Sequence, residues 1–494
     1  MGKTWKSLAI VASSLAMLAG GPCVAAHAAR PQPQAALERD ARQRLVVLTD
    51  IGGEPDDSES LVRLMLYSNQ IDIEGLIATT SVWMKQASHP EAISTVIEAY
   101  GKVRPNLLLH EAGFPKPEIL LKKLRTGQRH YGIEGIGKGK ESDGSRLIVQ
   151  ALESDDPRPL WVVAWGGINT LGQAMHTIRE TRSPADVRKL TAKLRVYAIS
   201  DQDDAGPWLR KNFPDLFYIV SPGGYGNATW TAINSVIDGI DNSAIGNKWL
   251  AQHIQQGHGP LGAAYPDVGW GMEGDTPSFL GLIPNGLNVP DRPDFGGWGG
   301  RYEFYTPSVS GLGDHVEGGV PIEAETRPIW SNATDSYMPY GASDYGRAHK
   351  PATKVYKDFR TTLWRWRDEF QNDFAARMDW SVKSYAAANH PPVPRLAMAD
   401  QISVHSGEIF NLSAAGTTDP DGDSLSFLWF HYPEAGTWKS VIPAEGAENV
   451  FHVAFRAPVV AKPETAHFIL KVTDKGSPPL TRYKRVIVTV LPAS

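Results

Sequence analysis

The feature that most constrains this chain is the apolar run Arg44-Leu-Val-Val-Leu-Thr49, cut off at once by a loop containing Gly52, Gly53 and Pro55. An unbroken aliphatic run of this kind belongs to a strand buried on both faces, the position found inside parallel sheets. Ser58 to Tyr67 then sets Leu61, Leu64 and Met65 on one helical face. The rhythm recurs, with Ile71 to Thr80 as strand and Pro90 to Tyr100 as helix, then Leu160 to Ala164 as strand and Asn169 to Ile178 as helix. Leu194 to Ile199 continues it as a strand. Such alternation predicts an α/β domain whose parallel sheet carries helices on both faces and takes its ligand beyond the carboxyl ends of the strands. The loops after Leu48, Thr80, Ala164 and Ile199 are therefore expected to converge.

Further along, the pattern changes twice. From Tyr265 to about Tyr345 Gly, Pro and Trp accumulate without periodicity, which reads as loops, part of them walling the site. Lys354 to Phe370 reads as a helix carrying Trp364 and Trp366, and Asn389-His-Pro-Pro-Val-Pro394 as a stiff, polyproline-like linker. Beyond it, Glu408 to Leu412, Leu425 to Phe430, Val450 to Phe455, His467 to Thr473 and Arg485 to Leu491 are short β-branched and aromatic runs between turn residues. They predict an all-β, immunoglobulin-like sandwich with Trp429 in its core. The expected division is residues 42–388 for the α/β domain and 395–494 for the sandwich.

The first 28 residues set the expected compartment. Lys3 and Lys6 precede an apolar run from Leu8 to Leu18 and then Ala26-His27-Ala28, the layout of a signal peptide, and the run is too short for a bilayer span. A secreted protein with no membrane attachment is expected. The only cysteine is Cys23, so cleavage after Ala28 would exclude disulfides, thiolate metal sites and cysteine nucleophiles. With 49 basic and 54 acidic residues the formal charge is −5, which leaves no electrostatic footprint for nucleic acid.

Chemistry concentrates in Thr49-Asp50-Ile-Gly-Gly-Glu54-Pro-Asp56-Asp57. Carboxylates crowded this closely repel one another unless a cation compensates. Oxygen-only ligands, with glycines that let the backbone approach, suit Ca²⁺ better than Zn²⁺. The plainer reading is a solvated turn in which Asp56 or Asp57 caps the next helix. Its place at the end of a sheet strand favours the metal.

The strand, the Asp50 loop and the Asp56-Asp57 pair resemble the aspartate cluster of nucleoside hydrolases. With Ser60-Leu-Val-Arg63 following, the loop is similar to the nucleoside-hydrolase-like domain of a family of secreted bacterial cellulose-binding proteins, over most of the chain and including the sandwich. The resemblance implies a Ca²⁺ that binds a sugar's vicinal hydroxyls and the attacking water. It implies Asp50 as general base and ligand, and Asp56 and Asp57 as further ligands. Val162-Val-Ala-Trp165-Gly-Gly-Ile-Asn169 resembles the strand end whose main-chain carbonyl completes the metal site, which puts Trp165 there. Glu273-Gly-Asp275-Thr-Pro277 resembles the late motif whose aspartate is another ligand, Asp275. The chain departs from that pattern at Leu48, where the family has an aspartate, and in the spacing from Asp50 to Asp56, which is two residues longer. It departs again at Gly274, in place of a histidine able to protonate the leaving group.

Other candidates come from position. Asp201, Gln202 and Asp203 follow a strand and either bind sugar hydroxyls or cap the next helix. Trp83 follows the second strand and either stacks on a sugar or base or lies in the core. Glu273 neighbours the late aspartate, and His130 is a candidate acid or an ordinary surface histidine. Asp419-Pro-Asp421-Gly-Asp423 lacks the glycine and glutamate of an EF-hand and reads first as a tight turn, with a metal site as the alternative. Asn227, Asn332 and Asn411 head glycosylation sequons.

Two functions follow as expectations. One is a secreted, Ca²⁺-dependent glycoside hydrolase of nucleoside-hydrolase type, acting by inversion on a furanoside or a plant-polysaccharide-derived glycan. The other is a non-catalytic cellulose- or carbohydrate-binding protein that keeps the hydrolase fold. The expected partner is a carbohydrate or nucleoside-like small substrate, or a polysaccharide.

Overall fold

The computed structural model describes residues 42–222, 229–308, 324–339 and 354–493. The expected signal segment with Cys23 and the Asn227 sequon lie outside the described residues. The principal sheet has eight strands: β1 (Gln43–Thr49), β2 (Ile71–Ala78), β3 (Leu124–Thr126), β4 (Leu160–Ala164), β5 (Leu194–Ala198), β6 (Phe217–Val220), β7 (Tyr302–Tyr305) and β8 (Ile329–Asn332). Their order is β3-β2-β1-β4-β5-β6-β8-β7. Every neighbouring pair is parallel except β7 with β8.

β1 lies between β2 and β4, with Arg44–Leu48 opposite Leu160–Ala164. Its side chains alternate between the two faces, as the pleat requires. Leu45 and Val47 join one core with Leu61, Leu64 and Met65, and Val46 and Leu48 join the other with Ile148, Leu171 and Met175. The helices that cover the sheet are α1 (Pro55–Leu66), α2 (Pro90–His110), α3 (Pro117–Leu121), α4 (Asp143–Glu153), α5 (Asn169–Thr181), α6 (Pro184–Lys193) and α7 (Ala205–Asn212). Strand order reverses between β1 and β4, so the loops after Thr49 and Ala164 diverge over one crevice.

The region expected to be a helix from Lys354 to Phe370 is divided. Tyr356–Asp358 forms a strand, β10, paired with β9 (Asp335–Tyr337). Asp358 then accepts the Arg360 N–H at 2.8 Å and closes a turn, before short and long helices at Thr361–Trp364 and Arg367–Asp379. The expected loops from Tyr265 to Tyr345 include β7, β8 and a short helix at Pro277–Leu280, whose brevity hid them from any periodicity.

The C-terminal part is all-β: β11 (Gln401–His405), β12 (Ile409–Ser413), β13 (Leu425–His431), β14 (His452–Arg456), β15 (Glu464–Asp474) and β16 (Thr481–Leu491). A four-stranded sheet, β11-β16-β15-β13, and the β12-β14 pair enclose a core containing Leu412, Trp429, Val453 and Phe468. The expected stiff linker is clamped instead. Asn389 and His390 are buried, and Asn389 Nδ2 donates to Asp474 at 3.0 Å and to the Pro478 carbonyl at 2.8 Å. Trp366 packs edge-on against Tyr483, and Arg482 pairs with Asp373 at 2.7 Å. The sandwich is thus part of one packed body with the α/β region rather than a tethered module. No helix among the described residues is long and apolar enough to cross a membrane.

Candidate functional site

The crevice is built from the end of β1 outward. Gly52 turns the chain at φ +100°, a conformation disfavoured for a residue with a Cβ. α1 then starts with Pro55 and sets Asp56 and Asp57 in its first turn. Thr49 Oγ1 donates to the Asp57 carboxylate and accepts the Ile51 N–H at 3.1 Å, which ties the strand end to the helix start.

Asp275 arrives from far along the chain and is held by its neighbour. Glu273 adopts φ +49° and its main-chain N–H donates to Glu59 at 2.7 Å. Its carboxylate accepts from Arg63 Nη2 at 3.1 Å, Tyr265 at 2.8 Å and Thr276 at 2.7 Å. With that anchor in place, carboxylate oxygens of Asp56, Asp57 and Asp275 lie within 4.8 Å of one another.

The electrostatics of this cluster are unfavourable without a cation. Burial first, then Asp57, Asp56, Asp50 and Glu59, hold the Asp275 carboxyl well above the usual range. Burial and the neighbouring carboxylates do the same to Asp57. Burial, then Glu54 and Asp50, push Asp56 up to about 7, and burial pushes Asp50 up to about 6 despite a hydrogen bond from Ser81. Asp275 is 1% exposed and its Oδ2 has no hydrogen-bond partner. A buried carboxylate oxygen with no donor, among other carboxylates, fits a hard divalent cation with oxygen ligands.

Asp50 sits beside this trio, close to the loop after β4. A Cβ on Gly166 would stand 2.6 Å from Asp50 Oδ1, so only glycine lets the two loops approach this closely. The Trp165 carbonyl accepts from Gln202 Nε2 at 2.6 Å, and its indole N–H donates to Ser278 at 2.9 Å. Both contacts fix the peptide at the strand end.

An open cleft of about 480 Å³ adjoins the cluster, lined by Glu54, Asp56, Trp83, Asn234, Trp270 and Gly274 among others. Trp83 is half-exposed and Trp270 is 88% exposed, an unusual state for so large an apolar ring. Gly274 also lines this cleft.

Several residues expected at substrate lie elsewhere. Glu273 is wholly buried and committed to Arg63, because an uncompensated guanidinium in that core would be costly. Asp201 is bidentate to Arg210, at 2.9 and 2.8 Å. Asp203 is wholly buried and accepts the N–H groups of Asn169 and Ala205, both at 3.0 Å, so it serves the starts of α5 and α7. Gln202 is a buried prop for Trp165 rather than a group facing the cleft. His130 is exposed outside the lining of the cleft, its carbonyl accepting from Asn169 Nδ2 at 2.7 Å. Sequence reasoning counted Glu54 in the acidic loop without giving it a place in the site, and missed Trp270 and Asn234. Glu54 was legible as a carboxylate of the acidic loop itself, and Trp270 as a tryptophan between glycines, whereas nothing in the sequence marks Asn234.

Comparison with known proteins accords with this architecture. Residues 44–302 match the family model described as cellulose-binding Sde182, nucleoside hydrolase-like domain, and residues 409–490 match that of the cellulose-binding protein Sde0182 C-terminal domain. A solved nucleoside hydrolase-related protein from Saccharophagus degradans, described as associated with carbohydrate metabolism, is 36% identical. The match covers 91% of this chain and all of that one, with a TM-score of 0.76. The effector protein XOO4466 (12% identical, 59% of this chain and 87% of that one, TM-score 0.28) and the type III effector XopQ (12%, 70% and 94%, 0.29) are too distant to inform the site. Among curated proteins none matches this chain.

Proposed function

The chain belongs to the cellulose-binding Sde182, nucleoside hydrolase-like family, and from that membership we propose that it is a secreted, Ca²⁺-dependent glycoside hydrolase acting on a furanoside or plant-polysaccharide-derived glycan. The observation that carries this reading is the convergence of Asp56, Asp57 and Asp275 at the edge of a cleft flanked by Trp83 and Trp270. In this reading Asp56, Asp57, Asp275, Asp50 and the Trp165 carbonyl hold the ion. Bound there, Ca²⁺ supplies the positive charge that orients a vicinal diol and favours proton loss from the attacking water.

The chain's own residues do the rest. Asp50 takes the proton of a water that attacks the anomeric carbon. The surrounding carboxylates stabilise the positive charge that develops on the sugar. The glycosidic bond breaks as the water oxygen bonds to the anomeric carbon, the leaving group departs with the electron pair and takes its proton from solvent, and this single displacement inverts the anomeric centre. Trp83 and Trp270 offer ring faces to sugar C–H surfaces.

A second reading rests on Gly274, which supplies no acid for the leaving group. There the cleft and its tryptophans bind cellulose or another carbohydrate without turnover. The test is a panel of furanosides, nucleosides and plant glycans assayed with and without chelator, beside retention on insoluble cellulose, for wild type and Asp50→Asn. Sugar release that chelator and Asp50→Asn both abolish, with retention unchanged, supports the hydrolase. Retention without release from any substrate supports the binding protein.

A further inference from the structure

A second group of carboxylates lies far along the chain from the cleft, where the α/β region meets the sandwich. In the turn before β13, oxygens of Asp419, Asp421 and Asp423 lie within 4.8 Å of one another. Asp419 Oδ1 accepts the N–H groups of Asp421 at 2.9 Å and Asp423 at 3.0 Å, and Gly422 at φ +80° closes the turn. Those bonds account for one oxygen. Asp419 Oδ2 is buried without a partner.

The same is true of two side chains beside it. Asp474 is wholly buried at the end of β15, and its Oδ1 accepts the N–H groups of Gly476 and Leu480 at 3.0 and 2.9 Å and Asn389 Nδ2 at 3.0 Å. Its Oδ2 is buried with no donor. Asn389, 6% exposed, spends Nδ2 on Asp474 and the Pro478 carbonyl, and leaves Oδ1 buried and without a partner. Asp419 and Asp474 are near enough to repel each other. Asn389, Asp421 and Asp423 line one open pocket of about 500 Å³ with Gly476, Ser477 and Tyr385.

Three buried oxygens without a donor are costly unless something positive sits among them. Among the described residues one basic group touches the cluster: His390 donates its main-chain N–H to Asp421 Oδ2 at 2.7 Å, and its Nδ1 lies 3.0 and 3.1 Å from the two Asp421 oxygens. That satisfies Asp421 and does nothing for Asp419, Asp474 or Asn389. The donors present are all oxygen, four carboxylates and one amide carbonyl, drawn from three separate segments. This explains why comparison with a single EF-hand loop found no match.

The geometry points to a second Ca²⁺ site, formed by Asp419, Asp421, Asp423, Asp474 and Asn389, that pins the chain leaving the α/β region to the sandwich. Ca²⁺ takes six to eight oxygens in irregular arrangements, with water completing the shell, whereas Mg²⁺ demands a stricter octahedron. The site is independent of the proposed activity, and its role is structural.

The test counts ions on the full chain. Chelator-stripped protein is titrated with Ca²⁺ by calorimetry and equilibrium dialysis, for wild type, Asp423→Asn and Asp275→Asn, with circular dichroism to confirm folding. Asp423 is chosen because it gives only its main-chain N–H to the turn. The expected result is that Asp423→Asn binds one Ca²⁺ fewer than wild type and loses the matching part of the Ca²⁺-induced rise in Tm, while Asp275→Asn keeps that ion. If wild type binds a single ion that Asp423→Asn loses and Asp275→Asn keeps, this site stands and the metal of the cleft does not. Equal stoichiometry and equal Tm response in wild type and Asp423→Asn overturns the site, whatever happens at Asp275.

Discussion

Arg63 Nε and Glu273 Oε2 stand 2.7 Å apart with both side chains wholly buried, and they join α1 to a segment 210 residues away. The guanidinium also lies over the Phe374 ring at 4.0 Å. Arg63 starts from the helix that carries Asp56 and Asp57, and Glu273 is two residues before Asp275, so this pair sets the distance between the two halves of the carboxylate cluster. Glu273→Gln would strand a buried guanidinium opposite a neutral amide. Urea unfolding should register a loss of about 3–5 kcal/mol, the range for breaking one partner of a buried pair. Ca²⁺ affinity at the cleft should fall with it.

Asp275→Asn tests the cluster with opposite signs in two conditions. In the metal-free protein the substitution removes a carboxyl whose ionisation is opposed by burial, by three other aspartates and by Glu59, so Tm should rise. In Ca²⁺ the order should reverse. At one hundred times its dissociation constant a ligand stabilises the fold by about 2.7 kcal/mol, and the variant should lose that response. Calorimetric scans with and without Ca²⁺ decide it, and an unchanged order of the two proteins would count against metal binding here.

Trp270 stands 88% exposed at the rim of the cleft, so removing its ring should leave stability within about 0.5 kcal/mol of wild type. Carbohydrate retention should respond differently. Trp270→Ala and Trp83→Ala should each weaken binding by about 1 kcal/mol, roughly fivefold, as expected for loss of one stacking face. Affinity electrophoresis in gels containing soluble glycan measures this, and wild-type mobility in both variants would remove the tryptophans from the recognition surface.

The sequence disclosed what local chemistry dictates. β1 is legible because Leu45, Val46, Val47 and Leu48 form an unbroken aliphatic run, and the acidic loop because four carboxylates fall within nine residues. Asp275 emerged from resemblance alone, since no spacing rule connects it to Asp56. What stayed hidden depends on buried charge. Glu273, Asp201 and Asp203 look like surface carboxylates, but Arg63, Arg210 and two main-chain N–H groups meet them inside the fold. The helix Arg367–Asp379 was expected only as far as Phe370 for the same reason, because its buried positions include Arg367, Asp373 and Arg377, which erase the apolar periodicity. Asp373 receives Tyr67 at 2.6 Å and Arg482 at 2.7 Å, partners drawn from the residue that caps the end of α1 and from the sandwich.

Within the sandwich, His431 sets an acid limit on stability. It is 7% exposed, its Nδ1 accepts the Ile442 N–H at 3.2 Å, and burial pushes its ring down to about 4 from the usual 6.5. A histidine depressed by folding contributes stability that is present above pH 6.5 and lost as pH falls toward 4, because only the unfolded chain takes up the proton in that window. The loss attributable to this one ring is about 3 kcal/mol across the window. His431→Asn keeps an acceptor near the Ile442 N–H and cannot titrate, so it should flatten this part of the profile while costing about 1–3 kcal/mol at pH 8 for poorer packing against Phe468. Urea midpoints measured from pH 8 to pH 4 give the comparison. Parallel curves for the two proteins would show that His431 does not carry the acid sensitivity.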